Sequence, residues 1–113
     1  MVLIDSSAWI EYLRHTGSDT NLRVRELLAA DDPVATTDVV VSEVLAGARN
    51  DAHWEQLQRL VYSARPLAVR PLFDYEEAAL IYLACRRGGA TPRRLTDCLI
   101  AAVAIRESMP LLH

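Results

Sequence analysis

Residues 2–13 read VLIDSSAWIEYL, and within this short segment the pattern changes from that of a buried strand to that of a helix. Val2–Ile4 is a run of apolar residues, which is typical of a strand that is covered on both faces. A helix is predicted directly after it, because apolar residues from Trp9 onward recur at helical spacing and Ser6 or Ser7 can cap its start. A buried strand that passes at once into a helix favours an α/β fold with a parallel sheet.

The rest of the chain repeats this alternation of short strands and helices. Further strands are predicted at 33–36, 67–69 and 110–112, and further helices at 20–30, 39–49, from 51 onward, at 74–87 and at 96–108. Thr37 or Asp38 is expected to cap the third helix, and Asp74 with Glu77 forms a capping-box pattern. Since strands joined by helices pair in parallel, we predict one domain over 1–113, a three-layer α/β/α sandwich with a parallel central sheet.

The composition narrows the class of protein before any motif is considered. Of the 113 residues, 51% are hydrophobic and 24% are charged, which excludes a disordered chain, a collagen-like repeat and a disulfide-built miniprotein. The chain contains arginine but no lysine, so it has neither a P-loop lysine nor a Schiff-base lysine. The net charge of -3 gives the protein no overall attraction to nucleic acid.

The termini and the cysteines predict a cytoplasmic protein without a membrane segment. The N-terminus lacks the basic and long apolar regions of a signal peptide. The longest apolar run, Cys98–Ile105, is much shorter than the roughly 20 residues that cross a bilayer. Cys85 and Cys98 are isolated in the sequence, which favours two buried thiols in a reducing compartment over a disulfide.

Three acidic residues lie within or next to segments that are otherwise apolar, where a charged side chain is unexpected. Asp5 follows the first strand, Glu43 lies in a helix that is apolar nearly all round, and Asp97 precedes an apolar run. Each has a simpler interpretation, since Asp5 and Asp97 can cap helices and Glu43 can pair with Arg49. Two of the three lie where an open parallel sheet presents its ligand site, which favours a shared function.

A cluster of these carboxylates predicts a divalent-metal site. Hard oxygen ligands without a cysteine or histidine partner indicate Mg²⁺ or Mn²⁺ rather than zinc. The chemistry that uses such a site is phosphoryl transfer, because the ion activates a water molecule and stabilises charge on the phosphate and the leaving oxygen.

Three motifs in this sequence resemble those of the PIN-domain nucleases, and among them the VapC-type ribonuclease toxins of bacterial toxin–antitoxin systems. The motifs are VLIDSSAW at 2–9, SEVLAG at 42–47 and TDCLIAAVA at 96–104. The resemblance covers the whole chain in order and in approximate spacing. It implies the PIN-like form of the α/β/α sandwich.

The resemblance also assigns roles to individual residues. Asp5, Glu43 and Asp97 correspond to three of the four acidic metal ligands of the family, and Ser7 and Thr96 correspond to hydroxyl groups beside them. These acids imply a Mg²⁺- or Mn²⁺-dependent endoribonuclease in which water attacks an RNA phosphodiester. The family is usually homodimeric and is neutralised by a cognate antitoxin that covers the site. Its chains normally continue to a fourth acid, so a C-terminal tail is expected beyond residue 113.

Four arginines lie close together shortly before the last motif. Arg86, Arg87, Arg93 and Arg94 flank two glycines and are candidate contacts to RNA phosphates. An equally good interpretation is a solvated helix end whose positive charge complements the helix dipole. A second function also stays open, a catalytically weak or inactive PIN-like module kept for binding protein or RNA.

Overall fold

A computed structural model of the chain describes residues 1–89 and 94–113, which form ten elements. In chain order these are β1 (Val2–Ile4), α1 (Ser6–Leu13), α2 (Asp19–Ala29), β2 (Val34–Thr37), α3 (Asp38–Leu45), α4 (Asp51–Tyr62), β3 (Arg65–Leu67), α5 (Phe73–Arg87), α6 (Leu95–Arg106) and β4 (Leu111–Leu112). No helix in the described ranges is long and apolar enough to cross a membrane.

The four strands form one parallel sheet in the order β3-β2-β1-β4, with helices on both sides. The predicted three-layer α/β/α sandwich is therefore confirmed. From β1 the chain moves outward through β2 to β3, and it then returns past β1 to place β4 on the other side. In such sheets ligands bind outside the carboxyl ends of the strands where the strand order reverses, which here is between β1 and β4.

The core lies between the sheet and the helices that cover it. Leu3 and Ile4 of β1 are completely buried, as are Trp9 of α1 and Ile100 and Val103 of α6. Burying a large apolar side chain contributes roughly 1.5–3 kcal/mol relative to leaving it exposed. The strand and helices that position the candidate acids are thus among the best-anchored parts of the molecule.

Strand β3 begins two residues earlier than the predicted strand at 67–69. Its partners on β2 fix this register, because Arg65 lies opposite Ala35 and Leu67 lies opposite Thr37. Pro66 is out of place in a central strand, but β3 is at the edge of the sheet, where proline is tolerated. The apolar run in the sequence therefore predicted the strand but misplaced it.

The predicted capping box at Asp74 is wrong. Helix α5 begins one residue earlier, at Phe73, with no side-chain cap. Asp74 is instead completely buried, and its carboxylate accepts hydrogen bonds from Arg106 Nε at 3.1 Å and from the Arg70 N–H at 2.7 Å. Because Arg106 is at the end of α6, this buried ion pair joins α5 to α6.

Candidate active site

Asp5 lies at the carboxyl end of β1, where its carboxylate caps α1. The side chain is buried, with the residue only 5% exposed, and it accepts a hydrogen bond from the Ser6 N–H at 2.7 Å. The prediction that Ser6 or Ser7 caps this helix is therefore wrong. Both hydroxyls contact the Asp5 carboxylate instead, Ser6 Oγ at 3.3 Å and Ser7 Oγ at 3.1 Å. The structure thus places Ser7 beside Asp5.

Ser6 connects Asp5 to the second acid. Its hydroxyl lies 3.1 Å from Glu43 Oε1 and 3.3 Å from Asp5 Oδ1. A hydroxyl has one hydrogen to donate, so the two carboxylates share a single donor. The sequence pattern predicts Ser6 only as a helix cap and does not indicate its contact with Glu43. This contact could have been expected from the position of Ser6 as the first helical residue after a buried strand.

Glu43 lies on α3, which follows β2 directly and so begins at the same edge of the sheet as Asp5. The helix is capped by Thr37 as predicted, with Thr37 Oγ1 accepting from the Val40 N–H at 3.1 Å, but it ends at Leu45 rather than near 49. The Glu43 side chain is 22% exposed, so it is accessible from solvent.

Arg94 brings the third acid into this group. Its Nη2 lies 3.2 Å from Glu43 Oε2 and 3.5 Å from Asp97 Oδ1. The alternative pairing of Glu43 with Arg49 is therefore wrong, because Glu43 pairs with Arg94. The Asp97 side chain is 21% exposed. It lies in the first turn of α6, which begins at Leu95 without a side-chain cap, so Asp97 is not the cap of that helix.

The remaining predicted residues lie around this group without joining it. Thr96 is exposed in the first turn of α6, and within the described part of the chain its hydroxyl makes no hydrogen bond to the acids. Arg86 and Arg87 are exposed in the last turn of α5. Arg93 lies outside the described residues. The fourth acid that the resemblance implies would follow residue 113 and stays a prediction.

The chemistry of the three acids suits a hard divalent cation, but in the described structure they are not arranged around a common point. Asp5 is a buried carboxylate whose hydrogen-bond donors in the described ranges are all neutral, which leaves its charge without a cationic partner there. A buried anion in that situation is costly unless a cation compensates it. Across 1–89 and 94–113 no group of three His, Cys, Asp or Glu side chains is arranged to hold a metal. In this arrangement the single positive charge of Arg94 is shared between the other two acids, Glu43 and Asp97.

The thiol beside Asp97 takes no part in this chemistry. Both cysteines are free, as predicted, but only Cys98 is buried, whereas Cys85 is partly exposed. Burial raises the pKa of the Cys98 thiol, and the charges of Cys85 and Asp97 raise it further. Because the thiolate is the form that binds metals and acts as a nucleophile, a protonated Cys98 is a packing residue.

The sequence matches a known family over nearly its whole length. The family model of the PIN domain matches residues 2–113. The chain is 44% identical over 114 aligned positions to VapC ribonuclease Mb1587 of Mycobacterium bovis and to Ribonuclease VapC11 of Mycobacterium tuberculosis. Each alignment covers 100% of this chain and 85% of the relative.

The fold is similar to those of several solved structures. FitAB bound to an IR36 DNA fragment has a TM-score of 0.72 at 23% identity, over 98% of this chain and 82% of that one. VapBC2 of Rickettsia felis, bound to a DNA fragment from its promoter, has a TM-score of 0.68 at 19% identity, over 98% and 85%. VapC20 of Mycobacterium tuberculosis, described as a sarcin–ricin loop cleaving toxin, has a TM-score of 0.67 at 21% identity, over 96% and 85%. At these identities the likeness shows a shared fold. With the matches in sequence, it establishes that the chain belongs to the PIN-domain family, as a relative of the VapC ribonucleases.

Proposed function

We propose that the chain is a divalent-metal-dependent endoribonuclease of the VapC toxin type. The observation that carries this proposal is the line of three carboxylates, Asp5, Glu43 and Asp97, which Ser6 and Arg94 link at the carboxyl edge of the sheet. Relatives that are 44% identical over the whole chain are named ribonucleases, which supports RNA as the substrate. We also propose that the protein acts in the cytoplasm.

The three acids would hold Mg²⁺ or Mn²⁺. When bound, such an ion supplies an activated water molecule and stabilises negative charge on the phosphate. The chain's own residues prepare the ligands for it. Ser6 and Ser7 hydrogen-bond to both oxygens of Asp5, which fixes the orientation of that carboxylate. Asp97 lies in the first turn of α6, where the positive end of the helix dipole interacts favourably with negative charge.

The arginines near the last motif are candidate contacts to the RNA backbone. Arg86 and Arg87 present two exposed guanidinium groups at the end of α5, and Arg93 precedes Arg94 in the sequence. Arginine forms bidentate hydrogen bonds to phosphate oxygens, which position a nucleic acid without reading its sequence. Arg94 would serve the same purpose only when it releases Glu43 and Asp97.

A cognate antitoxin and a second copy of the chain are the proposed protein partners. The VapBC2 and FitAB structures, which share this fold, are complexes of two different proteins bound to DNA, and a further structure of this fold is a toxin–antitoxin complex from Klebsiella pneumoniae. The candidate interface for a homodimer consists of three exposed apolar side chains at one end of the α5–α6 hairpin, Leu72, Phe73 and Ile105.

One observation favours a second function, a PIN-like module that binds protein or RNA without cutting RNA. Glu43 and Asp97 share Arg94 as a cationic partner within the chain itself, which leaves one net negative charge on the three groups. If this pairing persists in solution at physiological Mg²⁺, the site binds no metal and the protein does not hydrolyse RNA.

Replacing single acids tests the nuclease. Asp5→Asn and Asp97→Asn remove one charged ligand each while keeping the shape of the side chain. The substrate is a single-stranded RNA of mixed sequence, with Mg²⁺ or Mn²⁺ present. We expect the rate of its cleavage to fall at least 100-fold in both variants. Thermal melting in EDTA checks that the variants are folded.

Asp32→Asn provides a matched control. Asp32 is exposed and comes just before β2, so it lies near the amino edge of the sheet, opposite the candidate site. We expect this variant to cut RNA like the parent. Equal cleavage by the parent and both site variants contradicts the assignment of the acids. A folded parent that binds RNA but does not cut it with either metal supports the binding module instead.

A further inference from the structure

A cavity of about 520 Å³ lies between α1, α3 and α4, next to the candidate acids. Its volume falls within the range of roughly 300–1,000 Å³ that is usual for ligand-binding pockets. The apolar part of its lining consists of Ile10, Leu13, Val44 and Leu57. Glu43 also lines this cavity, so one wall is shared with the line of carboxylates described above. Whatever occupies the cavity therefore lies directly beside the candidate active site.

The polar part of the lining is cationic. Arg14, which follows α1, and Arg49, in the connection from α3 to α4, both line the cavity and are exposed to solvent. Neither forms an ion pair with an acid within the described ranges. The cavity thus combines two guanidinium groups, which form no ion pair within the described ranges although Glu11 lies near Arg14, with the single carboxylate of Glu43, which is also a candidate metal ligand.

His53 of α4 adds a hydrogen-bond donor to the cavity. Its Nδ1 lies 3.1 Å from the backbone N of Arg49, and a backbone N–H can only donate, so Nδ1 is the acceptor. In the neutral ring the proton is therefore on Nε2. His53 lines the cavity, and in the part of the chain that the structure describes Nε2 makes no hydrogen bond. A donor of this kind is suited to a phosphate or ribose oxygen.

We infer that this cavity is a backbone subsite for the RNA strand next to the bond that is cut. Arg14 and Arg49 each bind a phosphate of the strand, His53 Nε2 donates a hydrogen bond to a phosphate or ribose oxygen, and the aliphatic side chains contact the ribose. The inference rests on the proposed function, because Glu43 is common to both sites. Charge complementarity and the shared wall favour a polyanion that runs from the acids into the cavity.

The composition of the lining also indicates how this subsite selects its ligand. The described lining contains no Phe, Tyr or Trp ring on which a base could stack. Sequence preference for single strands comes chiefly from hydrogen bonds to base edges, and stacking adds only a modest preference. The subsite should therefore strengthen binding to the RNA backbone without selecting a base.

The salt dependence of RNA binding tests the subsite directly. A fluorescein-labelled single-stranded RNA of ten nucleotides is titrated by anisotropy in EDTA, so that no cleavage occurs, at several NaCl concentrations. We expect Arg14→Gln and Arg49→Gln each to weaken binding about tenfold at low salt. Each should also reduce the slope of log K against log[salt] by about 0.7, the value for one phosphate contact to a single strand. His53→Phe should weaken binding without changing the slope.

Arg59→Gln is the matched control, because Arg59 is an exposed arginine on α4 that does not line the cavity. We expect it to keep the affinity and the slope of the parent. Parent-like affinity and slope in Arg14→Gln and Arg49→Gln overturn the subsite, and so does a parent that binds no RNA. The cavity would then be better suited to an acidic polypeptide.

The same variants separate this inference from the nuclease assignment. With Mg²⁺, Arg14→Gln and Arg49→Gln should raise KM and leave kcat largely unchanged, whereas Asp97→Asn removes cleavage. If the parent does not cut RNA but the arginine variants still lower the salt slope, the subsite stands and the nuclease assignment fails. If cleavage depends on Asp97 and the slopes are unchanged, the nuclease assignment stands and the subsite fails.

Discussion

The guanidinium of Arg94 lies between two acids of the candidate site, with Nη2 3.2 Å from Glu43 Oε2 and 3.5 Å from Asp97 Oδ1. The Arg94 side chain is 70% exposed, so the pairing is a surface ion pair. Such pairs contribute about 0–1 kcal/mol because water screens the charges. A divalent cation that binds several carboxylates at once should displace it.

Removing this arginine should therefore make the site a better cation site. We expect Arg94→Gln to raise the affinity of the protein for Mn²⁺ by about three- to tenfold, since the ion no longer competes with a resident positive charge. Isothermal titration calorimetry with Mn²⁺ measures this affinity. Arg86→Gln, which removes an exposed arginine that contacts none of these acids, is the control and should leave the affinity unchanged. An unchanged or lower affinity in Arg94→Gln would show that Arg94 does not compete with the ion.

The shared hydroxyl of Ser6 makes a second prediction. Ser6→Ala removes the donor common to Asp5 and Glu43, so both carboxylates lose an interaction that orients them. Groups that orient metal ligands typically change metal affinity or activity by about 10–100-fold when they are removed. We expect a loss of that size in both Mn²⁺ affinity and RNA cleavage.

Ser42→Ala is the control for Ser6→Ala. Ser42 is an exposed serine that precedes Glu43 on α3, and its replacement should change neither measurement. Parent-like metal affinity in Ser6→Ala would mean that the Ser7 hydroxyl and the Ser6 N–H are sufficient to hold Asp5.

The buried pair of Asp74 and Arg106 should dominate the stability of the α5–α6 hairpin. Asp74 is completely buried, and Arg106 also donates from Nη2 to the Ala68 carbonyl at 3.0 Å. Breaking a buried pair costs about 3–5 kcal/mol, because the remaining charge is left without a partner. We expect Asp74→Asn to lower the free energy of unfolding by about that amount in urea titrations. Glu107→Gln removes the more exposed partner of Arg106 and should cost less than about 1 kcal/mol.

The same carboxylate predicts the acid sensitivity of the fold. Burial alone would raise the pKa of Asp74, but the hydrogen bonds from Arg106 and the Arg70 N–H, with the charges of both arginines, lower it overall. A lowered pKa in the folded state stabilises the protein above the unfolded value of about 3.9, and that contribution is lost as the pH falls through the folded value. The parent should therefore lose stability below about pH 4 more steeply than Asp74→Asn. Parallel pH profiles would contradict this.

The sequence predicted those features that depend on local pattern. The apolar run before Asp5, the apolar helices around Glu43 and Asp97, and the alternation of strands and helices were sufficient for the fold and for three acids at one edge of it. The sequence did not predict ion pairs between residues that are far apart along the chain. Arg94 is 51 residues from Glu43, and Arg106 is 32 residues from Asp74. No local pattern distinguishes Asp74 as the partner of a distant arginine from Asp74 as a helix cap, so the more common interpretation was wrong.

The apolar end of the α5–α6 hairpin makes a last prediction, about the proposed homodimer. Leu72, Phe73 and Ile105 are large apolar side chains that are more than half exposed in the single chain, next to the Asp74–Arg106 pair. Neighbouring exposed apolar groups of this kind mark protein interfaces. We expect light scattering to give twice the mass of one chain for the parent, and a single-chain mass for the double variant Phe73→Arg with Ile105→Arg. Tyr62→Arg, at an exposed aromatic residue at the end of α4, should leave the dimer intact. A double variant that stays dimeric would place the interface elsewhere, and a monomeric parent would contradict the homodimer itself.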